Sequence, residues 1–71
     1  MLNIGERIKQ VRKEQAGISQ DDFANLLGMS QSHLSLIESE KSLPGSYLLY
    51  RIHGTFDIDL NWLLTGNGNI K

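Results

Sequence analysis

The stretch SQDDFANLLGMSQSHLSLIES, residues 19–39, decides the fold. Ser19 is a good helix N-cap, with Asp22 three residues on as a weaker form of the capping-box acid. Phe23, Ala24 and Leu27 form a buried stripe, and Gly28 supplies the left-handed backbone that stops the helix. Only Met29 separates Gly28 from the next cap, Ser30, and a further helix follows over residues 31–38 with Leu34 and Ile37 inward. Two short helices joined by so tight a turn must cross steeply, which is the helix-turn-helix geometry. Ala24 is small where they would touch. Phe23, Leu27, Met29, Leu34 and Ile37 are apolar where the pair would anchor to the rest of the domain.

Outward from this pair the pattern stays helical. Ile4, Ile8 and Val11 recur at helical spacing and Gly17 supplies a stop, which predicts a first helix from about residue 3 to 15. ESEKSLPG, residues 38–45, reads as a loop because Pro44 and Gly45 interrupt the periodicity. Leu48, Leu49 and Ile52 anchor a fourth helix over residues 47–53, with Gly45 and Gly54 weakening its edges. Asp59 caps a short fifth over residues 60–64, ended by TGNG. No segment alternates with period two, so the expected class is all-α, a single domain of four to five helices spanning residues 1–71.

The chain has 71 residues, no cysteine and a net charge of −1. Absence of cysteine excludes disulfides and thiolate metal sites, and it fits a reducing cytoplasm. No apolar run approaches a membrane span and no signal-peptide pattern opens the chain, so the reading is cytoplasmic with no membrane partner. Charge is unevenly spread. Arg7, Lys9, Arg12 and Lys13 outweigh Glu6 and Glu14 in the first fourteen residues, whereas Lys41, Arg51 and Lys71 face six acids afterwards. Any affinity for DNA would have to come from a local positive face and backbone amides, not from a bulk basic field.

The segment ISQDDFANLLGMSQSHLSLIESEKSLP, with IGERIKQVRKEQ before it and FDIDLNWLLTGNG after it, resembles the Xre/Cro/cI-like helix-turn-helix DNA-binding family. The ending looks most like repressors of the phage cI type. The resemblance covers nearly the whole chain and implies a lambda-repressor-like fold with the motif at residues 19–39. It also implies a sequence-specific regulator, a repressor of phage type, that binds a two-fold symmetric operator in double-stranded DNA. In this family the second helix of the motif lies in the major groove.

On a helical wheel the side opposite Leu34 and Ile37 carries Ser32, Ser35, Leu36 and Ser39, flanked by Gln31 and His33. Gln31 is the best base reader, since glutamine pairs in bidentate fashion with adenine. Ser32 and Ser35 can bond to bases or phosphates with little selectivity, and His33 can reach either. Leu36 either touches a thymine methyl or marks a protein-facing patch. Ser19, Gln20 and Ser30 stand at helix N-termini, where amides favour a phosphate. The resemblance implies a backbone contact at Gln20, and Lys41 in the following loop adds charge, as would Arg51 or the helix 1 lysines. These contacts set register rather than sequence.

Arg12 and Glu38 both fall at the edge of the buried face of their helices. The family pairs an arginine of helix 1 with the glutamate ending the recognition helix, which implies a structural salt bridge here. Glu40 stands where the family usually has glycine, so a different or strained exit turn is expected. His53 stands where a small apolar residue is usual. Otherwise Arg7, Lys9, Arg12 and Lys13 read as an ordinary solvated helix face.

Catalysis is not expected. Ser32 or Ser35 with His33 would be the candidates, but adjacent positions on a helix do not face each other. His33 and His53 are too few for a metal site, and the D-x-D of DIDL lacks the rest of a calcium loop. No cofactor or small-molecule ligand is indicated. A recognition helix this short reads few base pairs, so a homodimer is expected. The resemblance places its interface at the loop after helix 3 with helix 5 and the tail, residues 59–71, including Trp62. The alternative reading is a protein-interaction module, antitoxin-like or an anti-repressor partner, built on the same fold.

Overall fold

The computed structural model describes residues 3–71. Among them are five α-helices and no strand: α1 Ile4–Gln10, α2 Gln20–Leu27, α3 Gln31–Glu38, α4 Ser46–Phe56 and α5 Leu60–Thr65. The first helix does not continue as α to residue 15. Over Val11–Ala16 it widens into a π-helix, and the Gly17 amide bonds the Arg12 carbonyl five residues back at 2.7 Å. The Arg12 side chain braces the same exit, its Nη1 donating to the Ile18 carbonyl at 3.1 Å.

The caps of the motif act as the serines suggest. Ser19 Oγ accepts the Asp22 amide at 3.1 Å, and Ser30 Oγ accepts the His33 amide at 3.1 Å. Gly28 takes φ 71° and lets the Met29 amide close on the Ala24 carbonyl at 3.0 Å. Asp59 Oδ2 likewise accepts the Trp62 amide at 2.9 Å to start α5.

Helix α4 is longer than the periodicity predicts. It starts at Ser46, runs through Gly54 and ends at Phe56. A mid-helix glycine costs about 1 kcal/mol. Here it is outweighed by Phe56, whose ring stacks on Phe23 with centroids 5.2 Å apart. His53 Nδ1 lies 2.6 Å from the Ile58 carbonyl. Because that partner can only accept, Nδ1 carries the proton, and the ring braces the turn into α5.

The core comprises Ile8, Val11, Phe23, Ala24, Leu27, Leu34, Ile37, Ile52, Ile58, Trp62 and Leu63. Helix α1 packs on α3 and α5, while α2 packs on α3 and α4. Met29 is only half-buried against this cluster, so it anchors less than the sequence suggests. Trp62 is buried, so its indole belongs to the core and not to the exposed side of α5. The tail folds back, the Asp59 amide bonding the Ile70 carbonyl at 2.8 Å.

Among the described residues three polar side chains are buried: Arg7, Arg12 and Glu38. Arg7 and Arg12 are therefore not part of a solvated face. Arg7 Nε donates to the Leu63 carbonyl at 2.8 Å and Nη2 to that of Leu64 at 2.9 Å, so the guanidinium caps the C-terminal end of α5. A cation there also meets the negative end of the helix dipole.

The exit of α3 is unusual. Glu40 adopts φ 68°, a left-handed conformation that most side chains avoid. Its carboxylate reaches across to α1, where Oε1 accepts the Glu6 amide at 3.1 Å. Asn3 makes no side-chain cap there, so Glu40 supplies one from another element. The crossing is close. A Cβ at Gly5 would lie 2.2 Å from the Ile37 carbonyl oxygen and 2.7 Å from Glu40 Oε1.

Candidate nucleic-acid interface

Helix α3 divides sharply. Leu34, Ile37 and Glu38 are buried, while Gln31, Ser32, His33, Ser35, Leu36 and Ser39 are exposed. The exposed face carries no formal charge apart from any proton on His33. Its angle is set from below by the Arg12–Glu38 pair, whose side chains are 9% and 3% exposed. The contact is bidentate, Arg12 Nε to Oε2 at 2.8 Å and Nη2 to Oε1 at 3.0 Å. The paired positions lie deeper than the edge of the core.

From Glu38 a chain of hydrogen bonds climbs to the surface. Gln20 Nε2 donates to Glu38 Oε1 at 3.1 Å, and Gln31 Nε2 donates to Gln20 Oε1 at 2.8 Å. Gln20 joins the two helices of the motif by its side chain. Gln31 keeps its own carbonyl oxygen and one N–H for a partner, the two groups a bidentate contact to adenine requires. The hydroxyls of Ser19 and Ser30 accept from amides, and each still has its proton to give.

The electrostatics are modest. Arg7 and Arg12 are sequestered, which leaves Lys9 and Lys13 as the exposed cations of the first helical segment. Lys41 is exposed on the loop after α3. Arg51 is half-buried and its Nη2 donates to the Leu26 carbonyl at 2.9 Å, capping the end of α2. Asp21 and Asp22 sit in the first turn of α2, where carboxylates already complement the dipole. Among the described residues there is no pocket and no cluster of acids or histidines that could hold a metal. No described helix is long and apolar enough to cross a membrane.

Sequence reasoning missed several of these roles. Arg7 stands three residues after Ile4 and four before Val11, on the stripe that periodicity buries, so a signal existed. The Glu40 cap and the Arg51 cap join distant elements and leave no local signal.

A family profile described as a helix-turn-helix domain matches residues 5–69. The chain belongs to this family. Among its relatives is the ImmF control region 10 kDa protein of Bacillus phage phi105, 42% identical over 60 residues, covering 84% of this chain and 66% of that protein. The HTH-type transcriptional regulator SinR of Bacillus subtilis is 37% identical over 62 residues, covering 86% of this chain and 55% of SinR. The chain thus spans between 55% and 66% of the length of these relatives. A crystal structure of the P22 c2 repressor protein in complex with a synthetic operator superposes with a TM-score of 0.79. It is 24% identical and covers 94% of this chain and all of that one, so the two share one fold.

Proposed function

We propose that this chain is a DNA-binding domain of a transcriptional regulator, a repressor of phage type that occupies a two-fold symmetric operator in the cytoplasm. The observation that carries the reading is the exposed, uncharged face of α3, with Gln31 held in place through Gln20 and Glu38 by Arg12. Hydrogen-bonding groups without charge suit base edges, whereas phosphates are met by cations and amides. Base contacts are assigned to Gln31, Ser32, His33, Ser35 and Leu36. Backbone contacts are assigned to Ser19, Gln20, Ser30 and Lys41. Likeness to SinR and to a repressor crystallised with operator DNA supports the reading. A homodimer follows from the short recognition helix, with half-sites roughly 34 Å or a multiple apart. Its interface is placed at the loop after α3 with the exposed side of α5 and the tail, without Trp62.

Titrating random duplex DNA at low and moderate salt tests this reading. Affinity is expected to fall steeply as salt rises, because the phosphate term releases counterions. Absence of binding at low salt would overturn it. Gln31→Ala is expected to cost about 1–3 kcal/mol on a selected site and to relax preference at one base pair. An unchanged preference in a selection from random DNA would remove Gln31 as a reader.

The second reading, an antitoxin-like or anti-repressor interaction module, is favoured by one observation. Leu43, Tyr47 and Tyr50 are 84%, 70% and 64% exposed within eight residues of chain. The salt titration separates the two readings.

A further inference from the structure

Leu36 is 45% exposed on the outward face of α3. Its helical neighbours at i−4 and i−3 are Ser32 and His33, and Ser39 caps the helix at i+3, all exposed and polar. Two of the serines at the ends of this helix are tied to its backbone by their own bonds. Ser30 Oγ is held by the His33 amide, and Ser39 Oγ donates back to the Leu36 carbonyl at 3.2 Å. Leu36 is therefore the one large apolar group on the outward face of α3.

A protein interface needs an apolar core of several residues, and the positions around Leu36 on α3 supply none. A single isobutyl group suits a single methyl-sized target. In the major groove the one apolar feature on any standard base pair is the thymine C5-methyl. We infer that Leu36 is a specificity-determining residue that reads the C5-methyl of a thymine in the operator. It reads a different base pair from Gln31, being about 140° around and about 7.5 Å along the helix from it. Against a base edge without the methyl, Leu36 meets bare polar atoms and offers them nothing. The contact depends on the methyl and not on thymine as such. A 5-methylcytosine at the same position presents the same group to the same side chain. This inference rests on the DNA-binding reading above.

The test begins with a bound site selected from random duplexes by the unaltered chain. Each thymine is then replaced singly by deoxyuridine, which removes only the methyl, and affinity is read by fluorescence anisotropy. One position per half-site is expected to weaken binding roughly fourfold, the worth of one buried methylene-sized group. Leu36→Ser, its folding checked by thermal melting, is expected to bind thymine and uracil there equally. At that position 5-methylcytosine is expected to bind more tightly than cytosine by a similar factor, and Leu36→Ser to lose the difference.

Three results overturn the inference. They are that uracil weakens the unaltered chain at no position, that Leu36→Ser keeps the full sensitivity, or that the methylated cytosine gains nothing. If no sequence is enriched at all, the DNA-binding reading itself falls and takes this assignment with it.

Discussion

Gly5→Ala is expected to lower the melting temperature by about 4–24 °C, as followed by circular dichroism. The sign runs against helix propensity, by which alanine in a helix is favoured over glycine by about 1 kcal/mol. Space decides instead. The added Cβ would lie 2.2 Å from the Ile37 carbonyl oxygen, a backbone atom that no rotamer change can move. That carbonyl also accepts the Glu40 amide at 3.1 Å, so displacing it disturbs the exit of α3. Separating α1 from α3 strains both the Arg12–Glu38 pair and the Glu6–Glu40 cap. Overpacking of this kind costs about 1–3 kcal/mol and occasionally more, and each kcal/mol shifts a domain of this size by about 4–8 °C. A drop below about 3 °C would show that the crossing is loose.

The second large effect is expected at Glu38→Ala. Removal of this carboxylate leaves the Arg12 guanidinium buried without its counter-ion and takes the acceptor from Gln20 Nε2. Breaking a buried pair from one side costs about 3–5 kcal/mol. A domain of this length holds only about 4–10 kcal/mol in total, so the variant should be partly unfolded at 37 °C. The double variant Arg12→Met with Glu38→Leu removes both charges and is expected to recover most of the loss. Urea melts of the single and double variants decide the matter. If Glu38→Ala is no worse than the double variant, the penalty does not arise from the orphaned charge.

These two sites differ in how far the sequence reveals them. The α2–turn–α3 unit was legible because its determinants are local: two serine caps, Gly28, and apolar spacing within a few residues. The outward face of α3 followed from the same periodicity. The Arg12–Glu38 pairing came through family resemblance, while periodicity alone placed both residues merely at the edge of the core.

Other features depend on contacts between distant segments. The α4 extension through Gly54 rests on Phe56 meeting Phe23, and no window of residues 47–56 contains that partner. The π-helix at Val11–Ala16 has no breaker residue inside it. Glu40 looked like a misplaced glycine, and only the crossing of α1 over α3 reveals what its carboxylate does. Arg7 reads as solvated from its charge, although its position lies on the buried stripe. The share of Trp62 in the core depends on how α5 packs, which the tail sequence alone does not show.

The ladder from Arg12 to Gln31 has a further consequence, for entropy. Gln20 and Gln31 have long, mobile side chains, and immobilising such a chain on association costs about 0.5–1.5 kcal/mol. Here each is already bonded to the next, down to a buried ion pair, when the chain folds. Whatever meets this face finds the amide of Gln31 oriented in advance and does not have to order it. A partner that fits that orientation keeps more of its interaction free energy. One that would need the amide turned over must first break the bond to Gln20, so the ladder restricts which partners can use this face.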